Sequence, residues 1–467
     1  MIDTEKLLHE CEHVLDINWN GNFTIPAATL YPHQWSWDAA FIAIGNSYNN
    51  TNRAIAELEF LFDAQWKNGM VPHIVFNKKE KTYFPAADFY EINRSTNAPT
   101  HIGTSGMTQP PVHAIACLQI YQNSTNKDKT LDFLKRIFPK LVKFHRYLMT
   151  ERDPEQSGLV TIFHPWESGL DDSPIWDEPL SRITISKNDL PEFKRLDVIA
   201  VDGASDTVPD DEEYKKFIYL IEIMKKYNYS EKEMYENLPF KIKDIIFSSI
   251  LYVANKCLLE IAKIIEKDDK TINNNNSSPY QYDKSDINIW LKRTENNFYK
   301  YFLPSSSSSF NSEWNKSELR LYFDYDLVTK DWIKKKTISS LMPIFTGILS
   351  KEEVDTIIKW MTRKYRSEEG RHINEPLLPS TDLKVDYFKE VTYWRGPVWI
   401  NVNWMFWLGL LQYGYKREAE IIRQGIFDLV HKHGIREYYD PFDGRGLGGK
   451  NFSWTAALVI DMIKKIV

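Results

Sequence analysis

Along most of the chain the apolar residues return every three or four positions, which is the spacing of one face of an α-helix. Leu131, Leu134, Ile137, Phe138, Leu141, Phe144 and Leu148 form one such series, and Pro139 within it predicts a kink or a restart. Ile246, Ile250, Val253, Cys257, Ile261 and Ile264 form another. The spacing recurs near 5–16, 37–48, 53–66, 110–122, 213–228, 336–348, 351–363, 397–412, 416–432 and 453–466, so about a dozen helices are predicted. Strand-like alternation is confined to short runs such as Leu159-Val160-Thr161-Ile162-Phe163, and a parallel sheet is not predicted. Many helices joined by polar, aromatic loops predict an all-α closed toroid, with inner helices around a pocket and the loops of one end carrying the site. A helical solenoid is the rival, but it requires a repeat of fixed period, and none is visible.

Two polar stretches interrupt the pattern. Residues 267–284, which include Asn273-Asn274-Asn275-Asn276-Ser277-Ser278, and the run Ser305 to Ser309 are of low complexity. Helical patterning resumes beyond them, so they are expected to be variable surface insertions within 267–330, and residues 1–467 to form a single domain. The acidic run Asp210-Asp211-Glu212-Glu213 precedes a helical pattern and is expected to favour that helix's N-terminus, with no catalytic role.

The chain has 467 residues, 43% of them hydrophobic and 26% charged, enough for a large core. A net charge of -6, with Lys and Arg scattered, gives no basic footprint, so nucleic acid is not an expected partner. The start, Met1-Ile2-Asp3-Thr4-Glu5-Lys6, lacks the pattern of a secretory signal, and no run approaches the uninterrupted apolar length of a membrane span. No membrane association is expected, and the expected compartment is the cytosol. Cys11, Cys117 and Cys257 stand singly in apolar helical patterns and are expected to be buried thiols. No calcium-loop or Cys/His spacing occurs, so neither a metal nor a cofactor is expected. A homo-oligomer and a monomer are equally compatible with the sequence.

Aromatic content changes the picture: 15 Trp, 25 Tyr and 25 Phe make 14% of the chain, and many adjoin Asp, Glu, Arg or Gln. Such placement predicts an aromatic-lined polar pocket rather than core filling alone. Trp166-Glu167-Ser168-Gly169-Leu170-Asp171-Asp172-Ser173-Pro174 and Arg436-Glu437-Tyr438-Tyr439-Asp440-Pro441 set carboxylates among rings and turn residues. Aromatic planes hold pyranose faces, while carboxyls supply an acid and a base, so the two together point to a glycosidase. Taken singly, each is as well explained as a turn. Tyr31-Pro32-His33-Gln34-Trp35-Ser36-Trp37-Asp38 and Tyr393-Trp394-Arg395-Gly396-Pro397-Val398-Trp399 lead into helices in the same way. Gln109 stands just before a Pro-Pro helix start, where it could donate to a ligand or cap the helix. His73, with no neighbouring Cys or His, is expected to be a hydrogen-bonded loop residue. The segment Gly444 to Lys450 lacks the spacing of a phosphate loop and is expected to be a flexible border of the site.

The runs HQWSWDAAFIAIG, QWKNGMVPH, WESGLDDSP, YWRGPVWINVNW and REYYDPFDGRGLGG followed by FSWTAA resemble glycoside hydrolase family 63, specifically its mannosylglycerate and glucosylglycerate hydrolases. They are more distantly similar to trehalases. The matches run in order from about residue 17 to the C-terminus, missing mainly 267–330. The resemblance implies an (α/α)6 barrel and an inverting mechanism acting on an α-linked glucosyl or mannosyl unit of a small glycoside. On the matching positions Asp171 would be the general acid and Glu437 the general base. Tyr31, Trp35, Trp37, Asp38, Gln109 and Trp399 would bind the sugar that is cleaved. Trp166, Tyr214, Tyr393 and Trp394 would surround the leaving group, and Gly169 would belong to the same substrate-binding loop. Asp172, Glu167 and Asp440 are expected to shape the loops. One position departs: where the family pattern implies an arginine six residues ahead of Tyr214, this chain has Val208. Recognition of a glycerate carboxylate is thereby weakened unless Arg395 or Lys450 takes its place.

Trehalase-like hydrolysis of another small α-glucoside is the alternative within the same chemistry. A sugar epimerase on a helical toroid would use histidine pairs where this chain has carboxylates. A terpene-cyclase-like toroid would need DDxxD or DxDD spacing, which is absent, and a non-catalytic carbohydrate-binding protein would have no use for both carboxyls.

Overall fold

The apolar periodicity becomes helices that pair as hairpins around a closed ring. The computed structural model describes residues 2–80, 83–186, 189–195, 210–268, 281–304, 321–362 and 377–465. Among the described residues, six helical segments succeed one another around the inside: Ser36–Asn49, His113–Asn123, Ile245–Asp268, the 3₁₀ segment Ile338–Phe345, Ile400–Gln412 and Ser453–Lys464. Each packs on the next, and the last packs on the first, which closes the ring. Their outer partners are Thr51–Asp63, Lys127–Thr150, Gln281–Phe302, Lys351–Thr362, Lys416–His433 and the N-terminal helix Thr4–Ile17, which covers the C-terminal one. The fold is an (α/α)6 barrel, as expected.

Burial separates the two rings for a simple reason. An inner helix meets neighbours on every side and so must be apolar or satisfied all round, whereas an outer helix needs only a stripe. Helix Ser36–Asn49 is buried continuously from Ser36 to Ser47, and Ser453–Lys464 from Ser453 to Met462. The outer helix Thr51–Asp63 buries Ala54, Ile55, Leu58, Leu61 and Phe62, together with Glu57.

Several expectations change. Helix Lys127–Thr150 runs unbroken through Pro139. Within 267–330, Gln281–Phe302 is an outer helix that the periodicity did not single out; the runs 273–278 and 305–309 expected to be insertions lie outside the described residues, as does Val208. Ile245–Asp268 is, by length and composition alone, apolar enough to cross a membrane, but Lys256, Glu260 and Lys263 interrupt it and 72% of its most apolar window is buried as an inner helix of the barrel. Cys11 and Cys117 are buried and Cys257 is half-buried, all three as free thiols.

The strands are short and antiparallel, and they sit where chains enter the inner helices. β1 (Gln34–Trp35) pairs with β2 (Ile74–Val75), and β3 (Thr161–Ile162), β4 (Ile242–Lys243), β5 (Asp324–Asp326) and β6 (Asp331–Ile333) form a second ladder. β7 (Val398–Trp399), β8 (Arg436–Tyr439) and β9 (Gly446–Lys450) form the third. The inner helices all begin at one end of the barrel, so the segments preceding them converge there.

Candidate active site

Most of the expected site residues precede or open an inner helix or lie on a loop beside one, and Tyr214 lies in the helix Asp211–Lys226. Trp35 ends β1, and Trp37 and Asp38 occupy the first turn of helix Ser36–Asn49. The backbone of β2 fixes this corner: Ser36 N–H donates to His73 O at 2.9 Å, and His73 N–H to Met107 O at 2.7 Å, bringing the Gln109 segment alongside. Gln109 Oε1 accepts from Trp37 N–H at 3.3 Å, so its carbonyl end caps this helix start.

Glu437 lies in β8 at an irregularity in its pairing with β9, between Arg436 and Tyr438. Bulges of this kind re-aim a side chain out of a ladder. Its carboxylate is held by three donors of known origin: Tyr31 Oη donates to Oε1 at 2.8 Å, Tyr393 Oη to the same oxygen at 3.3 Å, and Gly449 N–H to Oε2 at 2.8 Å. The glycine-rich segment is therefore an ordered strand and not the flexible border expected. Gly448 in it takes φ +61°, and a Cβ there would sit 2.4 Å from Glu437 Oε2, so only glycine lets the strand pass this close.

Asp171 follows the short helix Pro165–Ser168 and Gly169. Gly169 has φ +75°, and a Cβ on it would lie 2.5 Å from the Trp37 ring, which explains the glycine and ties the acid loop to the first inner helix. Trp176 Nε1–H donates to Leu170 O at 2.7 Å and Leu170 N–H to Ser168 Oγ at 2.9 Å, fixing the backbone on the N-terminal side of Asp171. Glu167 is fully buried and takes both Arg152 guanidinium nitrogens at 2.8 and 2.7 Å, together with Phe163 N–H at 2.7 Å and Thr108 N–H at 3.2 Å. It holds the loop, as expected. Asp440 accepts from Phe442 N–H at 2.8 Å and shapes the turn after β8.

Three carboxyls feel one another here. Burial, then the charges of Glu437 and Asp172, pushes Asp171 up to about 8. Burial raises Glu437 to about 7 against the opposing pull of Gly449, Tyr31 and Tyr393. Burial, then Glu437, raises Asp38 well above the usual carboxylate range, with Asp171 adding a smaller push. Asp171, Tyr31 and Tyr393 are half-buried, whereas Asp38 and Glu437 are only 4% and 2% exposed. Asp171 is thus the more exposed of the two carboxyls. Between about pH 7 and 8 the arrangement favours a protonated Asp171 beside an ionised Glu437, an acid and a base separated by environment.

The rings fall into two groups. Trp166 packs at 6.1 Å from Tyr214 and at 6.3 Å, nearly parallel, from His73. Tyr31 meets Trp35 edge to face at 5.2 Å. Trp399, expected at the cleaved sugar, and Trp394, expected at the leaving group, are both corrected: they stack on each other at 3.9 Å and are 0% and 1% exposed. Tyr438 covers the other face of Trp399 at 4.6 Å, so these rings back the site and brace Tyr393, which meets Trp399 edge to face at 5.0 Å. Tyr438, Trp454 and the Gly448-Gly449 pair stand inside the quoted motifs but were assigned no role from the sequence. Pairing of β7 with β8 is what brings Tyr438 over Trp399. Arg395 is also corrected as a substitute for the arginine missing at Val208, because Asp172 and Asp177 already engage it. Lys450, at the end of β9, is exposed. Among the described residues no group of three His, Cys, Asp or Glu is placed to hold a metal ion.

The chain resembles known glycosidases in sequence and in fold. Residues 31–281 and 306–455 match the mannosylglycerate hydrolase MGH1-like glycoside hydrolase domain. The chain is 36% identical to a mannosylglycerate hydrolase of Rubrobacter radiotolerans, covering 98% of this chain and 97% of that protein. It is 33% identical to a glucosylglycerate hydrolase of Mycolicibacterium hassiacum, over 98% of each. The crystal structure of a family 63 mannosylglycerate hydrolase from Thermus thermophilus in complex with Tris and D-glycerate superposes with a TM-score of 0.84 at 36% identity, covering 97% of this chain and 99% of that one.

Proposed function

The chain belongs to the mannosylglycerate hydrolase MGH1-like family within glycoside hydrolase family 63 and is a glycosidase, and from this we propose that it hydrolyses an α-glucosyl or α-mannosyl glycerate with inversion at the anomeric carbon. The observation that carries the reading is the pair of carboxyls with different environments in one site, half-buried Asp171 raised to about 8 and buried Glu437 held by three donors at about 7. In the proposed reaction Asp171 gives its proton to the glycosidic oxygen as the bond to the sugar breaks. Glu437 takes a proton from the water that attacks the opposite face. Inverting enzymes hold such carboxyls roughly 6.5 to 9.5 Å apart so that the water fits between them.

Asp38, Trp35, Trp37 and Gln109 surround the position of the cleaved sugar in this reading. Trp166, Tyr214 and Gly169 border the leaving group. Glycerate as that group is supported by the relatives' activities, since Val208 lies outside the described residues and Arg395 is engaged by Asp172 and Asp177. The reading requires only a small glycoside as partner. It takes the compartment to be the cytosol, and it is compatible with a homo-oligomer.

The test is a hydrolysis screen of mannosylglycerate, glucosylglycerate, trehalose and short α-glucosides, with NMR detection of the first anomer released. β-Sugar released from an α-glycerate glycoside is the expected outcome. Release of the α-anomer would rule out the two-carboxylate inverting mechanism, and turnover of trehalose alone would move the substrate to the trehalase-like alternative.

A further inference from the structure

Beside the site lies an acidic cluster that the catalytic roles above do not use. Arg395 Nε donates to Asp172 Oδ1 at 2.8 Å, and its two terminal nitrogens reach both oxygens of Asp177 at 3.2 and 2.6 Å. Glu213 Oε2 approaches the same guanidinium only to 3.6 Å, beyond a good hydrogen bond. Glu213 belongs to the first turn of helix Asp211–Lys226, next to Tyr214, and Asp172 follows Asp171 directly. The cluster therefore joins the helix that borders the leaving group to the loop that carries the acid.

Its charge balance is unusual. Three carboxyls face one guanidinium, with Lys389 contributing weakly to Asp172. Glu213 Oε1 is buried, and no N–H or hydroxyl among the described residues serves it. The group within hydrogen-bonding reach is the Asp172 carboxyl. Two ionised carboxylates cannot bond to each other, and a buried oxygen without a partner costs about 1–3 kcal/mol. A proton on Glu213 resolves both problems at once. Burial raises Asp172 as well, but the short bond from Arg395 opposes this, so Asp172 is the carboxyl placed to stay ionised while Glu213 supplies the donor.

We propose that Glu213 is a positioning residue whose neutral carboxyl donates to Asp172, clamping helix Asp211–Lys226 and its Tyr214 against the Asp171 loop. The inference rests on the assignment of Asp171 and Tyr214 to the acid and the leaving-group wall. Burial, then the charge of Asp172, pushes Glu213 up to about 9, with Asp177 adding to the push and Arg395 opposing it. Asp171 lies beside Asp172 on the same loop. Ionisation at alkaline pH would set a third negative charge against Asp172 and Asp177 and release the clamp, which loosens the leaving-group side of the site.

The test compares KM and kcat from pH 7 to 10 in wild type, Glu213→Gln and Glu213→Ala. The glutamine amide reproduces the donor to Asp172 and does not titrate. At pH 7.5 Glu213→Gln is expected to keep KM within about twofold and Glu213→Ala to raise it about tenfold, the size of one charge-assisted hydrogen bond. Wild-type KM is expected to climb between pH 8 and 10, and KM of Glu213→Gln to stay level. A Glu213→Gln variant as impaired as Glu213→Ala at pH 7.5, or a wild-type KM level to pH 10, would overturn the proposal. A second measurement needs no substrate: the infrared carbonyl band of protonated carboxyls at pH 8 should lose one component in Glu213→Gln. An unchanged band sinks the proposal even if the glycoside substrate has been misidentified, and a lost component supports it in the same circumstance.

Discussion

Tyr31 donates its phenol hydrogen to Oε1 of Glu437 at 2.8 Å, across 406 residues of chain. Desolvation and the neighbouring carboxylate hold the phenol far above its ordinary range, so it remains a donor at any working pH. Removing the hydroxyl should raise the Glu437 pKa and disable the base at neutral pH. Tyr31→Phe is expected to move the acid limb of the kcat/KM profile up by roughly one unit, worth about 1.4 kcal/mol, and to leave the alkaline limb in place. An acid limb at its wild-type position would show that the phenol does not tune Glu437.

The two carboxyls also predict the profile itself. Activity should fall below about pH 7, as Glu437 gains a proton, and above about pH 8, as Asp171 loses one. Because the groups interact, the two limbs belong to the pair. Asp171→Asn should lower turnover of a glycerate glycoside by about 100- to 10,000-fold. An aryl glycoside with a good leaving group needs no acid, so the same variant should retain most of its turnover there and lose the alkaline limb. Equal losses on both substrates would remove Asp171 from the acid role.

The base should cost the fold stability. Glu437 titrates near 4.3 in the unfolded chain but at about 7 in the folded one. A carboxyl raised in this way favours folding below its unfolded pKa, and that contribution is lost as pH climbs through about 7. Glu437→Gln removes the penalty and is expected to stabilise the protein at pH 8 by up to about 3 kcal/mol, with no gain near pH 4.5. Chemical denaturation at the two pH values checks this, and a gain of equal size at both would point to packing rather than charge.

How much of this was legible beforehand depended on whether the relevant physics was local. Most of the inner and outer helices announced themselves by spacing, and the aromatic clusters at Trp35–Asp38 and Tyr393–Trp399 stood out because each leads into an inner helix. Helix Gln281–Phe302 was missed: its buried stripe of Ile287, Trp290, Phe298 and Phe302 is set among polar residues beside low-complexity runs. The role of Gly449 was invisible because a backbone N–H leaves no trace in residue identity. The Arg395 cluster joins residues 223 positions apart, and one sequence does not pair them. Stacking of Trp399 between Trp394 and Tyr438 likewise depends on a strand pairing that two-residue strands do not advertise.

The acid loop depends on a glycine for two separable reasons. Gly169→Ala must adopt φ +75° and also place a methyl 2.5 Å from the Trp37 ring, whereas Gly434→Ala faces only the backbone cost at φ +79° with open space around it. The control, whose ψ of 173° lies in a region almost confined to glycine, is expected to lose about 1–3 kcal/mol of stability and keep its activity. Gly169→Ala should lose more stability and at least about tenfold in kcat, because Trp37 and Asp171 cannot both hold position. Similar kinetics in the two variants would mean that the loop absorbs the methyl without moving Asp171.

Behind that loop, Arg152 and Glu167 form a buried ion pair, 1% and 0% exposed, with Glu231 on the Arg152 Nε at 2.8 Å. Breaking one side of such a pair leaves an uncompensated charge, at a cost of about 3–5 kcal/mol. Arg152→Met should therefore be severely destabilised and should lower kcat, since Glu167 lies four residues before Asp171 and anchors its loop through Phe163 and Thr108. Glu167→Gln alone strands the guanidinium with Glu231 as its remaining carboxylate and should cost less. The double variant has no charge left to strand between these two positions, so it should recover part of the Arg152→Met loss, a coupling of about 1–3 kcal/mol in a double-mutant cycle. Strictly additive losses would mean that the two residues act independently and that the loop is held by the backbone bonds alone.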